Sequence, residues 1–154
     1  MAYNAINLKK GPVQYTEEVA AEAAITPGML LAFDASGEVV KHAAASTNAL
    51  PRFALEQAWR NDATDAPAID VDYALADTVQ TGVFGTGALV NAFLDSTSVD
   101  AEKGDALVSA GNGNLEVIGA ITAGATNINA IVGYAYEAVT SPVSGNVRIQ
   151  VEVR

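Results

Sequence analysis

The chain has 154 residues, with 18 Asp and Glu against 8 Lys and Arg, a formal net charge of -10 and no cysteine; half of it is hydrophobic but only 6% is aromatic. Such an anionic surface repels phosphate backbones, and no basic stripe with interleaved aromatics offsets it, so nucleic acid is excluded as a partner. Without cysteine there are no disulfides, thiolate nucleophiles or cysteine-based zinc sites.

No apolar run approaches the roughly 20 residues of a membrane span, and residues 1–10 lack the apolar stretch of a signal peptide. The expectation is therefore a soluble chain used without export and with no membrane partner. A core assembled mainly from Ala, Val, Leu and Ile buries little area per side chain, and at about 25 cal/mol per Å² this points to further burial between subunits.

In chain order, residues 1–12 read as an extended arm. Tyr3, Ile6 and Leu8 are spaced apolar positions among Asn4, Asn7, Lys9 and Lys10, ending at the Gly11-Pro12 breaker. Val13, Tyr15 and Glu17 alternate with Gln14 and Thr16, predicting a first strand to about Ala20. A hairpin follows over residues 29–42, its turn at Asp34-Ala35-Ser36-Gly37. Such turns place a residue at positive φ, which glycine takes without a Cβ clash.

Residues 43–49 form a small-residue linker before Pro51 and Phe53-Ala54-Leu55. The stretch 57–73 carries Asn61, Asp62, Asp65, Pro67, Asp70 and Asp72 with little hydrophobic period, predicting a long surface loop. Residues 78–84 resume a strand, Gly85-Thr86-Gly87 turns it, and residues 89–94 return. The hairpin pattern then repeats, with Gly104-Asp105-Ala106-Leu107-Val108 turning through Gly111-Asn112-Gly113 into Leu115-Glu116-Val117.

Residues 119–129 read as flexible or tightly turned, and 131–139 and 146–153 as two closing strands. In the last, Val147, Ile149, Val151 and Val153 alternate with Arg148, Gln150, Glu152 and Arg154, which predicts one buried and one wet face. About nine or ten short strands punctuated by glycine turns define an all-β class. The expected architecture is a compact β-barrel or sandwich of short antiparallel strands, with the arm over 1–12 and a single β-rich domain over 13–154. Helix content should be low, since residues 17–24 and 55–60 have tolerable propensity but no convincing cap.

Chemistry is sparse. His42 is the sole histidine and has no nucleophile-elbow motif beside it, so it reads as a structural or exposed residue. Asp62, Asp65, Asp70, Asp72 and Asp77 fit no EF-hand spacing and read as a solvated acidic loop, not a metal site. Asp100, Glu102 and Asp105 form a charged turn before a hairpin more simply than a carboxylate pair for glycoside chemistry. Gly82-Val83-Phe84-Gly85-Thr86-Gly87 has the outline of a phosphate loop, but no Lys-Ser or Lys-Thr follows. No catalytic, cofactor-binding or metal residue is assigned. Trp59, the sole tryptophan, reads as a core anchor or an interface anchor, and Phe53, Trp59 and Arg60 are candidate interface anchors, because aromatic and Arg side chains are enriched at buried contacts.

Together these segments resemble the capsid decoration, or head cement, proteins of tailed bacteriophages. The likeness runs through Pro27-Gly28-Met29-Leu30 and Asp34 to His42, then Pro51-Arg52-Phe53-Ala54-Leu55-Glu56. It continues through residues 76–94, Gly104-Asp105-Ala106-Leu107-Val108-Ser109 with Gly111 to Leu115, residues 131–139 and the alternating terminus. It covers nearly the whole chain from about Glu22, and departs at residues 57–67, where relatives often carry glycine-rich text.

The resemblance implies a non-enzymatic homotrimer on the outer surface of a virion head, made in the host cytoplasm. It would clamp neighbouring major capsid protein subunits and need no cofactor. The arm residues Tyr3, Ile6, Leu8, Lys9 and Lys10 are then candidates for capsid binding, extending a capsid sheet edge with Ile6 and Leu8 in alternate pockets. On that reading, deleting residues 2–10 weakens capsid binding and leaves the fold intact. The alternatives are a carbohydrate-binding or fibre-like β module on the virion surface, and a small β-barrel hydrolase dependent on His42.

Overall fold

The computed structural model describes residues 5–8, 11–57, 66–96, 98–118, 128–140 and 145–154. Ten strands account for its regular structure: β1 Val13–Val19, β2 Leu31–Phe33, β3 Val39–Lys41, β4 Arg52–Ala54, β5 Thr78–Phe84, β6 Leu89–Leu94, β7 Ala106–Ser109, β8 Leu115–Val117, β9 Gly133–Ala135 and β10 Val147–Val153. Helical structure among the described residues is confined to two single 3-10 turns, Ala68–Asp70 and Ile128–Ala130. The expected all-β class holds.

Both glycine hairpins form as read. β2 pairs with β3 and β7 with β8, each antiparallel. In the first turn Gly37 takes φ +83, and the Asp34 carboxylate accepts from the Ser36 and Glu38 amides at 2.8 and 2.9 Å. The glycine meets the left-handed requirement and the aspartate satisfies two turn donors.

The strands assemble into a closed barrel in the order β10-β6-β8-β7-β9, a three-stranded sheet β1-β5-β4, and the β2-β3 ribbon. The expectation of purely antiparallel pairing needs one correction, since β6 and β8 run parallel, in register at Leu94 and Leu115. The reason is topological. A ring of five strands has an odd number of neighbours, so directions cannot alternate all the way round.

A second correction concerns the turn at residues 85–87. The strand after it does not return onto β5, whose two edges are already taken by β1 and β4. Instead β6 joins the barrel beside β10. The Gly87 amide donates to the Val153 carbonyl at 2.8 Å, so this turn is the crossing from sheet to barrel.

Two cores result. The larger fills the barrel and reaches the near face of the three-stranded sheet through Leu94, Leu107, Leu115, Ile149, Val151, Phe53 and Phe84. Phe53 and Phe84 meet edge to face, with centroids 5.9 Å apart. The smaller joins the ribbon to the far face of the sheet through Ile25, Leu31, Val39, Ala54, Tyr73 and Val79. Small aliphatic side chains dominate both, as the composition requires.

The stretch read as a surface loop is partly core. Ile69, Val71 and Tyr73 are 3%, 6% and 1% exposed, alternating with outward Asp70 and Asp72. The Tyr73 hydroxyl donates to the Leu55 carbonyl at 2.7 Å, giving the buried phenol its partner. The last strand also departs from a clean two-faced pattern. Gln150 is buried, held by Glu137 through its side chain at 2.9 Å and its amide at 3.1 Å, while Arg148 is mostly covered.

Candidate contact surface

The N-terminal segment is where the structure most changes the sequence reading. Ile6 is fully buried in the barrel-side core. Its carbonyl accepts from the Asn91 amide at 2.8 Å, its amide donates to Glu56 Oε2 at 3.0 Å, and the Leu8 amide donates to the Leu89 carbonyl at 2.9 Å. Ile6 therefore cannot fill a pocket on another protein. Residues 5–8 are a piece of this domain laid along β6, because an isoleucine at that point gains more from the core than from water. Leu8 is half-buried, and Tyr3, Lys9 and Lys10 lie outside the described residues.

Phe53 is likewise corrected as an interface anchor: it is fully buried against Phe84 and Leu30 within its own core. Trp59 and Arg60 lie outside the described residues. The arginine that does organise a junction is Arg148. Its Nη1 donates to the Pro27 carbonyl at 3.0 Å and its Nη2 to the Ile69 carbonyl at 2.6 Å and to Asp70 Oδ1 at 3.0 Å. Burial pushes its pKa below the ordinary arginine value, and the Asp70 hydrogen bond and charge oppose that shift. Side chain and backbone of three chain segments meet here, so the constellation ties segments together.

His42 is structural in the way the sequence indicated. It is 7% exposed, with Nδ1 2.8 Å from Oγ of Ser109, which is itself fully buried and also accepts from the Gly111 amide at 3.1 Å. Asp62 and Asp65 lie outside the described residues; of the other acidic candidates, Asp70 is engaged with Arg148, Asp72 with the Thr26 hydroxyl at 2.6 Å, Asp77 with the Ala74 amide at 2.6 Å, and Asp105 with the Glu102 amide at 2.8 Å.

Among the described residues, exposed large apolar side chains also occur at Phe33, Leu50, Leu75, Val99 and Ile128, and two strand segments carry them in pairs that sequence reasoning did not single out. One is β1, where Tyr15 is 61% and Val19 44% exposed. The Tyr15 hydroxyl accepts from Asn7 Nδ2 at 2.8 Å, tying the strand to the N-terminal segment. A groove of about 380 Å³ beside it is lined by Tyr15, Thr16, Glu17, Leu55, Gln80 and Thr81. The other is β9, where Tyr134 and the following Tyr136 face outward and the Lys103 ammonium sits 4.7 Å from the Tyr136 ring centroid. Period-2 alternation was the available signal in both, and it marks strands without saying which face stays wet.

The described residues form an all-β domain. No protein-family model and no curated protein matches the chain. Among solved structures it is similar to the N base of the head fiber gp8.5 of bacteriophage phi29, with a TM-score of 0.55 and 16% identity, over 91% of this chain and 94% of that one. At that identity the similarity is one of fold.

Proposed function

We propose that the chain is a structural protein of a phage virion that binds the outer surface of the head. There it would stabilise the capsid by clamping neighbouring major capsid protein subunits, as a homotrimer and without catalysis. The observation that carries this reading is the end-to-end likeness of fold to a phage head-fiber base. It agrees with the ordered decoration-protein segments in the sequence. The acidic surface suits the outside of a DNA-filled container better than its interior. The burial of Ser109 supports the absence of a hydrolase, since a nucleophile must reach its substrate.

A protein that binds only the assembled shell stabilises it by RT ln(1 + [L]/Kd) per site. The test is co-sedimentation of the purified chain with expanded heads lacking it, alongside its mass in solution. Binding to heads and a trimeric mass support the proposal; no association with heads refutes it.

A glycan-binding module is the second reading, favoured by the outward Tyr134 and Tyr136, since exposed aromatic rings are the usual stacking platform for sugars. Binding in a glycan screen that is lost in the Tyr134→Ala, Tyr136→Ala double variant would favour it over the capsid role.

A further inference from the structure

Nearly every sheet edge near β1 is occupied. The outer side of β4 is covered by the chain before β2, with the Gly28 amide donating to the Ala54 carbonyl at 2.8 Å and the Ala54 amide to the Met29 carbonyl at 3.0 Å. The outer side of β1 has no backbone partner from Val13 to Glu17 among the described residues; beyond Glu17 the chain meets β3, where Ala20 bridges in parallel to Val39 and the Ala21 amide donates to the Val39 carbonyl at 2.9 Å.

The phase of that edge follows from the ladder. The Gly85 amide donates to the Pro12 carbonyl at 2.7 Å, and the Ala20 amide to the Asp77 carbonyl at 2.9 Å. Both pairs continue the register Val13↔Phe84 to Val19↔Thr78. Hydrogen-bonded and non-bonded pairs alternate along an antiparallel ladder. Gln14, Thr16 and Glu18 therefore bond to β5, while Val13, Tyr15 and Glu17 turn their N–H and C=O groups away from it to the open side, and Val19 turns toward β3. Natural edges are blunted by brevity, Lys, Pro or bulges. β1 runs for seven residues, Val-Gln-Tyr-Thr-Glu-Glu-Val, with none of these devices inside it.

We infer that the β1 edge is a docking site for an extended, cationic strand of another polypeptide, which adds to the sheet by hydrogen-bonding to Val13, Tyr15 and Glu17. If the reading above holds, that strand belongs to the major capsid protein. Its charge follows from Glu17, exposed on this edge, and a chain of net charge -10, Glu18 being already paired with Arg52 at 3.8 Å. Those charges repel a second copy and attract Lys or Arg. The groove bounded by Tyr15, Glu17, Gln80 and Leu55 receives alternate side chains of the incoming strand.

The test uses the full-length chain and expanded heads stripped of it. Proline at position 17 removes an outward N–H and leaves the Gln14, Thr16 and Glu18 bonds to β5 in place. The inference predicts that Glu17→Pro weakens co-sedimentation about tenfold or more, with Glu17→Arg, which keeps the backbone, also weaker. It further predicts that amide exchange at Val13, Tyr15 and Glu17 slows on heads, where exchange at Gln14, Thr16 and Glu18 is already slow. If the wild-type chain binds heads and these three amides exchange as fast as in the unbound protein, the inference is wrong while the capsid role stands. If wild type does not bind heads, the capsid role itself fails. A fall in solution mass for both Glu17 variants would assign the edge to a second copy and also overturn the inference.

Discussion

The Arg148 guanidinium lies 4.2 Å from the Phe93 ring centroid while its Nη2 reaches Asp70 at 3.0 Å, so one side chain joins the barrel wall to the 3-10 turn Ala68–Asp70. The partners differ in worth. Asp70 is 54% exposed and its attraction is largely screened, whereas the carbonyls of Pro27 and Ile69 are fixed acceptors that only a fork-shaped donor satisfies together. Arg148→Ala is expected to lower unfolding free energy by about 2–4 kcal/mol, and Asp70→Asn by less than about 1 kcal/mol. Urea unfolding midpoints compare the two, and equal losses would contradict this division. Because burial lowers the pKa of Arg148, the unfolded chain holds that proton more tightly, and stability would change through this group only at strongly alkaline pH. Between pH 5 and 8 it stays charged and contributes no pH dependence.

Ile6 sets a test for the N-terminal segment. Truncation to Ala should cost about 2–4 kcal/mol, the range for a fully buried aliphatic side chain. Deleting residues 2–10 should then destabilise the domain, contrary to the intact fold expected of an unattached arm. An unchanged thermal midpoint after deletion would place Ile6 outside the core.

Gly28 is a backbone requirement. It takes φ +97, and a Cβ there would lie 2.8 Å from both the Asn91 carbonyl oxygen and Arg148 Nη1. Gly28→Ala should therefore destabilise by more than about 1 kcal/mol, and a neutral result by calorimetry would show that the contact relaxes.

The His42 and Ser109 pair should behave as a structural pin. Ser109→Ala is expected to cost about 1–2 kcal/mol by leaving the imidazole nitrogen and the Gly111 amide without a partner, with head binding unchanged. Hydrolysis of any substrate that disappears in this variant would contradict the non-enzymatic proposal.

Local pattern carried the strands and hairpins well. Residues 78–84 were read with the observed limits of β5, and the two glycine turns with their strands, because period-2 alternation and left-handed turns are written within a few residues. What failed depends on distant residues. Nothing near Gly85 says that both edges of β5 are already filled, so β6 looked like a hairpin return. Ile69, Val71 and Tyr73 do alternate, but the surrounding aspartates masked the period. Ile6 looked unattached since its partners, Asn91 and Glu56, are far away in sequence. The open side of β1 was equally invisible, because an edge is a property of the assembled sheet.

The most direct measurement is electron cryo-microscopy of expanded phage heads incubated with the purified chain. The account predicts density for this fold on the outer surface, bridging neighbouring major capsid protein subunits. Heads left bare at saturating concentration, or density confined to the interior, would contradict it.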